Sequence, residues 1–391
     1  MPPSPQETRT QTLPDTADAG SAGLLARTNA RIRDELRALI TPGPRMADEW
    51  ACVASVLLAI VFAHLIGAKM IAWAAFSAFV LLKSDVGETL LRGVLRMVGT
   101  SIGILLAVFL VPFAEESLPL AMVCAGVIGA LGLYGMLTAR RAYAWLLFGL
   151  TFEMILLDKL ERPGLDTLDF AHTRLLEVGA GTAACTIVSI AAALLARQKW
   201  LGFKPDKPQR ITWNPVAARH AAQAGLALAA LPALHAVLGL REMVQAGITI
   251  IFVMIVPVSG IGPSGFVPVT RRLFHRALGS LAGGALALGV LAIAHGSPAL
   301  LIAGTCLGIV LGRHIENGLP SVTYIGLQFT LTVLIVLIPD SYENVAIAPA
   351  VTRLVSVFIG MMVLEPVLLA WHLIAPRKAP GEHGTAPSDG E

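Results

Sequence analysis

The chain has 391 residues, of which 55% are hydrophobic and only 14% charged, and its formal net charge is +3. Soluble domains carry about 25% charged residues, so this composition excludes an ordinary soluble globule and marks an all-α, polytopic membrane protein. The small positive excess is no nucleic-acid footprint, because no basic and aromatic patch accompanies it.

In chain order, residues 1–45 come first, polar and rich in Pro, Thr, Ala and Asp. They show no early apolar region, so no signal peptide is expected, and their composition predicts disorder up to Gly23. Residues 24–40 read as a short amphipathic helix. Leu25, Ile32, Leu36 and Leu39 share a face, and Arg27, Arg31, Arg33 and Arg37 lie among the rest. Such a helix suits the inner membrane surface.

About 20 apolar residues cross a bilayer. Runs of that kind predict six helices in a first unit over 46–197, at 50–66, 68–83, 96–113, 117–136, 141–157 and 174–196. A basic, Pro-containing linker follows at 198–214. A second unit over 215–376 holds six more, at 217–238, 242–258, 276–295, 298–312, 320–338 and 353–375, before a disordered tail at 377–391. Several runs are short, so tight helical hairpins would suit the first pairs. With twelve spans and both termini cytoplasmic, 23 of the 29 Lys and Arg residues fall on inner segments and 6 on outer ones. The positive-inside rule favours that orientation.

One spacing recurs. Arg-x6-Gly appears at Arg96–Gly103, Arg174–Gly181, Arg276–Gly283 and Arg353–Gly360. The first and third copies lie 180 positions apart, the second and fourth 179. Gly149-Leu-Thr-Phe-Glu153 resembles Gly326-Leu-Gln-Phe-Thr330 at an offset of 177, pairing Glu153 with Thr330 and Thr151 with Gln328. Two parallel six-helix repeats, related by a pseudo-two-fold axis along the membrane normal, are the expected architecture. The reversed direction of the second arginine in each half also hints at a nested three-plus-three inversion.

Glycines in these segments, Gly99, Gly103, Gly181, Gly279, Gly283 and Gly360, bare the backbone for close helix packing. The arginines are expected at helix mouths, at the water interface. There they would either snorkel and fix orientation or draw an anion toward a path that Thr100, Ser280, Gln328 and Thr330 would also line. Guanidinium suits a carboxylate because its planar fork binds both oxygens.

The paired Arg-x2-Gly-[Thr/Ser]-x2-Gly, as Arg96, Gly99, Thr100 and Gly103 and again as Arg276, Gly279, Ser280 and Gly283, resembles the fusaric acid resistance protein-like superfamily. Arg174 and Arg353 in the last helix of each half agree. The resemblance covers about residues 50–196 and 217–375. It implies proton-driven export of small organic or aromatic carboxylic acids across a bacterial inner membrane, with a periplasmic adaptor protein as partner. Larger relatives carry a long soluble region between halves, and here the link is short, so no role of such a region carries over.

Ionisable groups within membrane helices are functional candidates by default. Glu153, in LLFGLTFEMILLD, is the foremost, because desolvation favours the neutral acid and a carboxyl so poised can load and release a proton. Glu177 is three residues past Arg174, which suggests a local ion pair. Glu365 precedes the helix-kinking Pro366, and His64 and His235 close the first helix of each half. The glycine-rich loop VSGIGPSGFVP, 258–268, could form an anion nest or a tight turn. It is no P-loop, since no Gly-Lys-Ser/Thr follows. Cys52, Cys124, Cys185 and Cys306 read as small apolar filler, so no disulfide, metal or cofactor is expected. The alternative to a transporter is a passive organic-anion channel using the same arginines. A lipid-active enzyme is disfavoured, because no polar cluster of the required spacing occurs. Exposed glycine faces would permit a homodimer.

Overall fold

The computed structural model describes residues 33–83, 85–195, 213–338 and 347–374. The expected disordered tails, most of the linker and the first half of the amphipathic helix lie outside these residues. The chain divides into two compact units at Ala47 and Asp48. In the first, residues 33–40 are helical and Arg45 pairs with Glu35 at 2.8 Å.

All twelve segments expected to be apolar helices are helical, and among the described residues there is no strand. The first half holds α1 (Pro44–Leu65), α2 (Ile71–Leu81), α3 (Val86–Glu115), α4 (Leu118–Thr138), α5 (Ala142–Glu161) and α6 (Thr167–Leu195). The second holds α7 (Pro215–Leu238), α8 (Met243–Val253), α9 (Phe266–Ala294), α10 (Pro298–Glu316), α11 (Thr323–Leu337) and α12 (Ile347–Ile374). A single helical turn, Val258–Ile261, sits between α8 and α9. Eight of the helices are long and apolar enough to cross a bilayer.

Lengths differ from expectation in two ways, each with a local cause. Helices α3 and α9 begin ten residues before the apolar run does. For α3 the signal is polar: Asp85 accepts a hydrogen bond from the Glu88 amide at 2.9 Å, the half of a capping box that starts a helix regardless of hydropathy. Likewise Asp166 caps α6 by accepting from the Leu168 amide at 2.7 Å. The arginines expected at helix mouths therefore sit inside. Arg96 and Arg276 are each the eleventh residue of their helices, about 15 Å from the start.

The second difference is that α2 and α8 have only 11 residues. At 1.5 Å per residue each covers about 17 Å, roughly half the hydrocarbon thickness. Both are buried on nearly every side, which is why they read as apolar all round. They are repeat mates, and each packs on the last helix of its own half, α2 on α6 and α8 on α12. Across the halves, α5 meets α8 and α11 meets α2, a symmetric exchange, while α4 lies along α7.

Glycine sets how close these helices come. A Cβ at Gly279 would stand 2.6 Å from the Ile325 carbonyl oxygen, and one at Gly103 would stand 2.6 Å from that of Phe148. Gly181 meets Ala74 and Ser77 of α2 as Gly360 meets Ala246 and Thr249 of α8. These contacts also fix the repeat register. Gly99 faces Ala144 and Leu147 while Gly279 faces Ile325 and Gln328, so α5 and α11 align at 181, not 177. The repeat mate of Glu153 is thus Leu334, and that of Gln328 is Leu147. The short GLxF string misaligned them because similar letters fell four residues, about one helical turn, out of register.

The packing generates a prediction. Gly279→Ala should lower the thermal midpoint in detergent by several degrees, through overpacking of about 1–3 kcal/mol. Gly289→Ala, in the same helix with nothing within 4 Å of a Cβ, should leave it unchanged or raise it. Equal melting of the two variants would contradict the close approach.

Candidate functional site

Short, buried helices at matching places in two repeats are where a membrane transporter puts its site. At the N-terminal ends of α2 and α8 the structure gathers charge from α5, α6, α12 and the residue before α8. Glu177 of α6 accepts from the Met70 amide, just before α2, at 2.8 Å. Glu161, the last residue of α5, accepts from the Glu242 amide at 2.8 Å and from the Met243 amide, at the start of α8. Carboxylates there satisfy amides that have no intrahelical partner and oppose the positive end of the helix dipole.

The arginines of the last helices close this cluster. Arg174, 3% exposed, pairs with Glu177 at 3.2 Å and Asp158 at 3.5 Å, and lies over the rings of Trp73 and Phe170. The ion pair with Glu177 expected from the i,i+3 spacing is present. Asp158 also pairs with Arg162. Arg353 reaches Glu242 at 3.7 Å and, with Asp158, Glu242 and Gln245, lines a cavity of about 20 Å³ between the halves, room for about one water. The second arginine of each half is therefore brought to one place, around Asp158.

The first arginines of each half stay with partners of their own half. Arg96, 4% exposed, donates to the Ser77 hydroxyl of α2 at 2.9 Å and to the Tyr143 hydroxyl of α5 at 3.0 Å. Arg276, 3% exposed, donates to the Gln328 side-chain oxygen at 2.5 Å and neighbours Tyr324. The expectation of arginines at the water interface is corrected on this point: both are buried among polar neighbours. Each still has a buried Nε with no acceptor, and Thr100 has an unpartnered hydroxyl. Ser280 is buried one turn past Arg276. Thr330 returns its hydroxyl to the Gly326 carbonyl at 3.2 Å and packs on Gly312, away from any arginine bond.

Glu153 stands apart. It is 1% exposed, and neither carboxylate oxygen has a partner. Its neighbours are Gly129 of α4, where a Cβ would lie 3.0 Å from Oε1, and Cys124. Leu228 of α7 fills the space beside Gly129, so the carboxyl faces the seam where the first half meets the second.

Several residues of this arrangement were not singled out in the sequence. Asp158 is only the last letter of the string around Glu153, although it carries two arginines. Tyr143 and Tyr324, 181 apart, each take a guanidinium over the ring from Arg92 at 5.6 Å and Arg272 at 4.1 Å, 180 apart. Those offsets were visible to the same arithmetic that found the Arg-x6-Gly repeat. Arg313 and His314 of α10, bound to Asp48 at 2.7 Å and Glu49 at 2.7 Å of α1, had no local signal, because the partners are 265 residues away. Among the described residues no group of three His, Cys, Asp or Glu could hold a metal ion.

Eight helices long and apolar enough to cross a bilayer, paired half-helices and the matched buried pair Arg96 and Arg276 fit a multi-pass membrane protein. The sequence profile described as fusaric acid resistance protein-like matches residues 58–189 and 225–364, one stretch in each half. The chain belongs to that family. A comparison with curated proteins found no match.

The ion-pair cluster can be tested by stability. Asp158→Asn removes one carboxylate from Arg174 and the partner of Arg162, and breaking a buried pair costs about 3 kcal/mol. The variant should unfold at distinctly lower denaturant in micelles than the wild type. Unchanged unfolding would show that Asp158 contributes nothing to holding the half-helix ends.

Proposed function

We propose that the protein is a secondary transporter, not an enzyme, that exports small organic or aromatic carboxylic acids across a bacterial inner membrane in exchange for protons. The observation that carries this reading is Glu153. Burying an ionised carboxylate without a partner costs far more than burying the neutral acid. A carboxyl with both oxygens free at the seam between two repeats is therefore a group whose proton can be exchanged as the halves move. Its proton would load with the seam open to one side and leave with it open to the other.

The anion's path is supported by the pseudo-symmetric arginines. Arg96 and Arg276 each keep one N–H without an acceptor, beside Thr100 and Ser280. A carboxylate could take those donors in turn as it passes the half-helices. At the opposite end, Arg174 and Arg353 are held by carboxylates around a cavity that admits about one water. That cluster acts as the closed side of an alternating-access cycle. The positive-inside bias supports a cytoplasmic location for both termini, and the family resemblance supports export with a periplasmic adaptor protein.

The test is proton flux into proteoliposomes containing a pH-sensitive dye, with a panel of aromatic and aliphatic carboxylic acids and protein-free liposomes as control. Glu153→Gln should abolish acid-dependent proton flux while leaving the protein folded. A variant that still moved protons with substrate at the wild-type rate would remove Glu153 from the mechanism. Anion current with no protein-dependent proton movement would make the protein a passive channel.

Arg96→Ala and Arg276→Ala should each slow transport of carboxylates by at least tenfold while sparing neutral analogues. Equal loss for neutral compounds would make these arginines structural anchors.

A further inference from the structure

The two halves are not equal at the C-terminal ends of the half-helices. Helices α2 and α8 begin 172 positions apart, but α3 and α9 begin 180 apart. The second half therefore carries eight extra residues between its half-helix and its long helix. They fall in the glycine-rich stretch singled out in the sequence, which contains the turn Val258–Ile261 and Gly262 and Gly265, both at positive φ.

This insertion is fastened in place. The Gly262 carbonyl accepts from Arg219 at 2.8 Å, and the Ser264 carbonyl accepts from Gln223 at 3.0 Å. The Ser264 hydroxyl meets His372 Nδ1 at 2.9 Å, and the Phe266 and His372 rings stack at 5.0 Å. The result is the wall of a cavity of about 790 Å³, the size of a small-molecule site.

The lining has one sign of charge. Arg271, Arg272, His275 and His372 face the cavity, and no Asp or Glu lines it. The rest is largely flat and apolar, with Pro257, Pro263, Pro268 and Phe266. Arg272 stacks on Tyr324 and donates to the Phe252 carbonyl at 3.2 Å, yet its buried Nε has no acceptor. One turn further in, the Arg276 Nε and the Gln328 side-chain nitrogen also lack acceptors. Unused donors thus run from the cavity toward the half-helix.

We propose that this cavity is a binding site for an organic anion with a flat apolar body, an aromatic carboxylate, held by Arg271 and Arg272 before it moves inward. The carboxylate takes the guanidinium donors, and the ring lies against the proline and phenylalanine wall. The site's place as the loading vestibule of a transport path rests on the function proposed above, but its ligand chemistry rests on the cavity alone.

The experiment is calorimetric titration of purified protein in lipid nanodiscs with 2-naphthoate and with neutral 2-naphthamide. The wild type should bind the carboxylate well and the amide at least tenfold more weakly. Arg272→Gln should weaken naphthoate binding at least tenfold. Because Arg272 also packs on Tyr324, the exposed Arg271→Gln serves as the second variant and should weaken it at least threefold. Gly289→Ala, at a position with nothing within 4 Å of a Cβ, should bind naphthoate as the wild type does. Absence of naphthoate binding, equal binding of the amide, or unchanged binding in a folded Arg271→Gln protein would overturn the proposal. Intact, arginine-dependent binding in a protein that shows no proton flux would leave the site standing and sink only the transport reading.

Discussion

A charge buried inside the protein must find a partner, and that constraint organises this molecule. Arg174 is surrounded by two carboxylates and two aromatic rings, and Arg313 is bound by Asp48 and Glu316. Arg96 and Arg276 lie about 15 Å inside their helices and are matched with hydroxyls or an amide oxygen in place of carboxylates. The weaker matching is informative. A guanidinium neutralised by a carboxylate has little attraction left for an anion, whereas one held by neutral acceptors keeps its charge available. The arginines thus fall into two classes: those neutralised by carboxylates, among them Arg313, which ties α10 to α1 across the halves, and those held by neutral acceptors.

The half-helices follow from the same constraint. Ending α2 and α8 within the protein leaves backbone amides and carbonyls inside the membrane region, tolerable only where side chains satisfy them. Glu177 and Glu161 do so at one end. Glycine provides the other requirement, since Gly181 and Gly360 let the long last helices lie directly on the half-helix backbones. Charge and packing therefore converge on one place, between α2 and α8, through residues contributed by both repeats.

Much of this was legible in the sequence. Apolar runs gave all twelve helices, and the Arg-x6-Gly arithmetic gave the repeat, because both are local patterns. What failed was local in a different sense. Helix α3 is capped by Asp85, and hydropathy is blind to a capping residue. The half-helices looked like spans because a short helix buried all round is as apolar as a spanning one. The register of α5 against α11 needed the Gly99–Ala144 and Gly279–Ile325 contacts, which no short string reveals. Glu153 stood out because a lone acid among apolar residues is conspicuous. Glu161, which anchors α8, did not, and Glu177, which anchors α2, was read only as the partner of Arg174, since the amides they bind lie far along the chain.

The asymmetry between repeats is where function departs from architecture. Glu153 has Leu334 as its counterpart, and the eight-residue insertion before α9 has none, so the unpartnered carboxyl and the large cavity each belong to one half. The account stands or falls on the state of Glu153. Infrared difference spectroscopy of the protein in lipid, wild type against Glu153→Gln, reads it directly. A protonated carboxyl band at neutral pH that is absent from the variant, and that shifts or disappears when a transported acid is added, is the expected result. An ionised carboxylate indifferent to substrate would contradict the account.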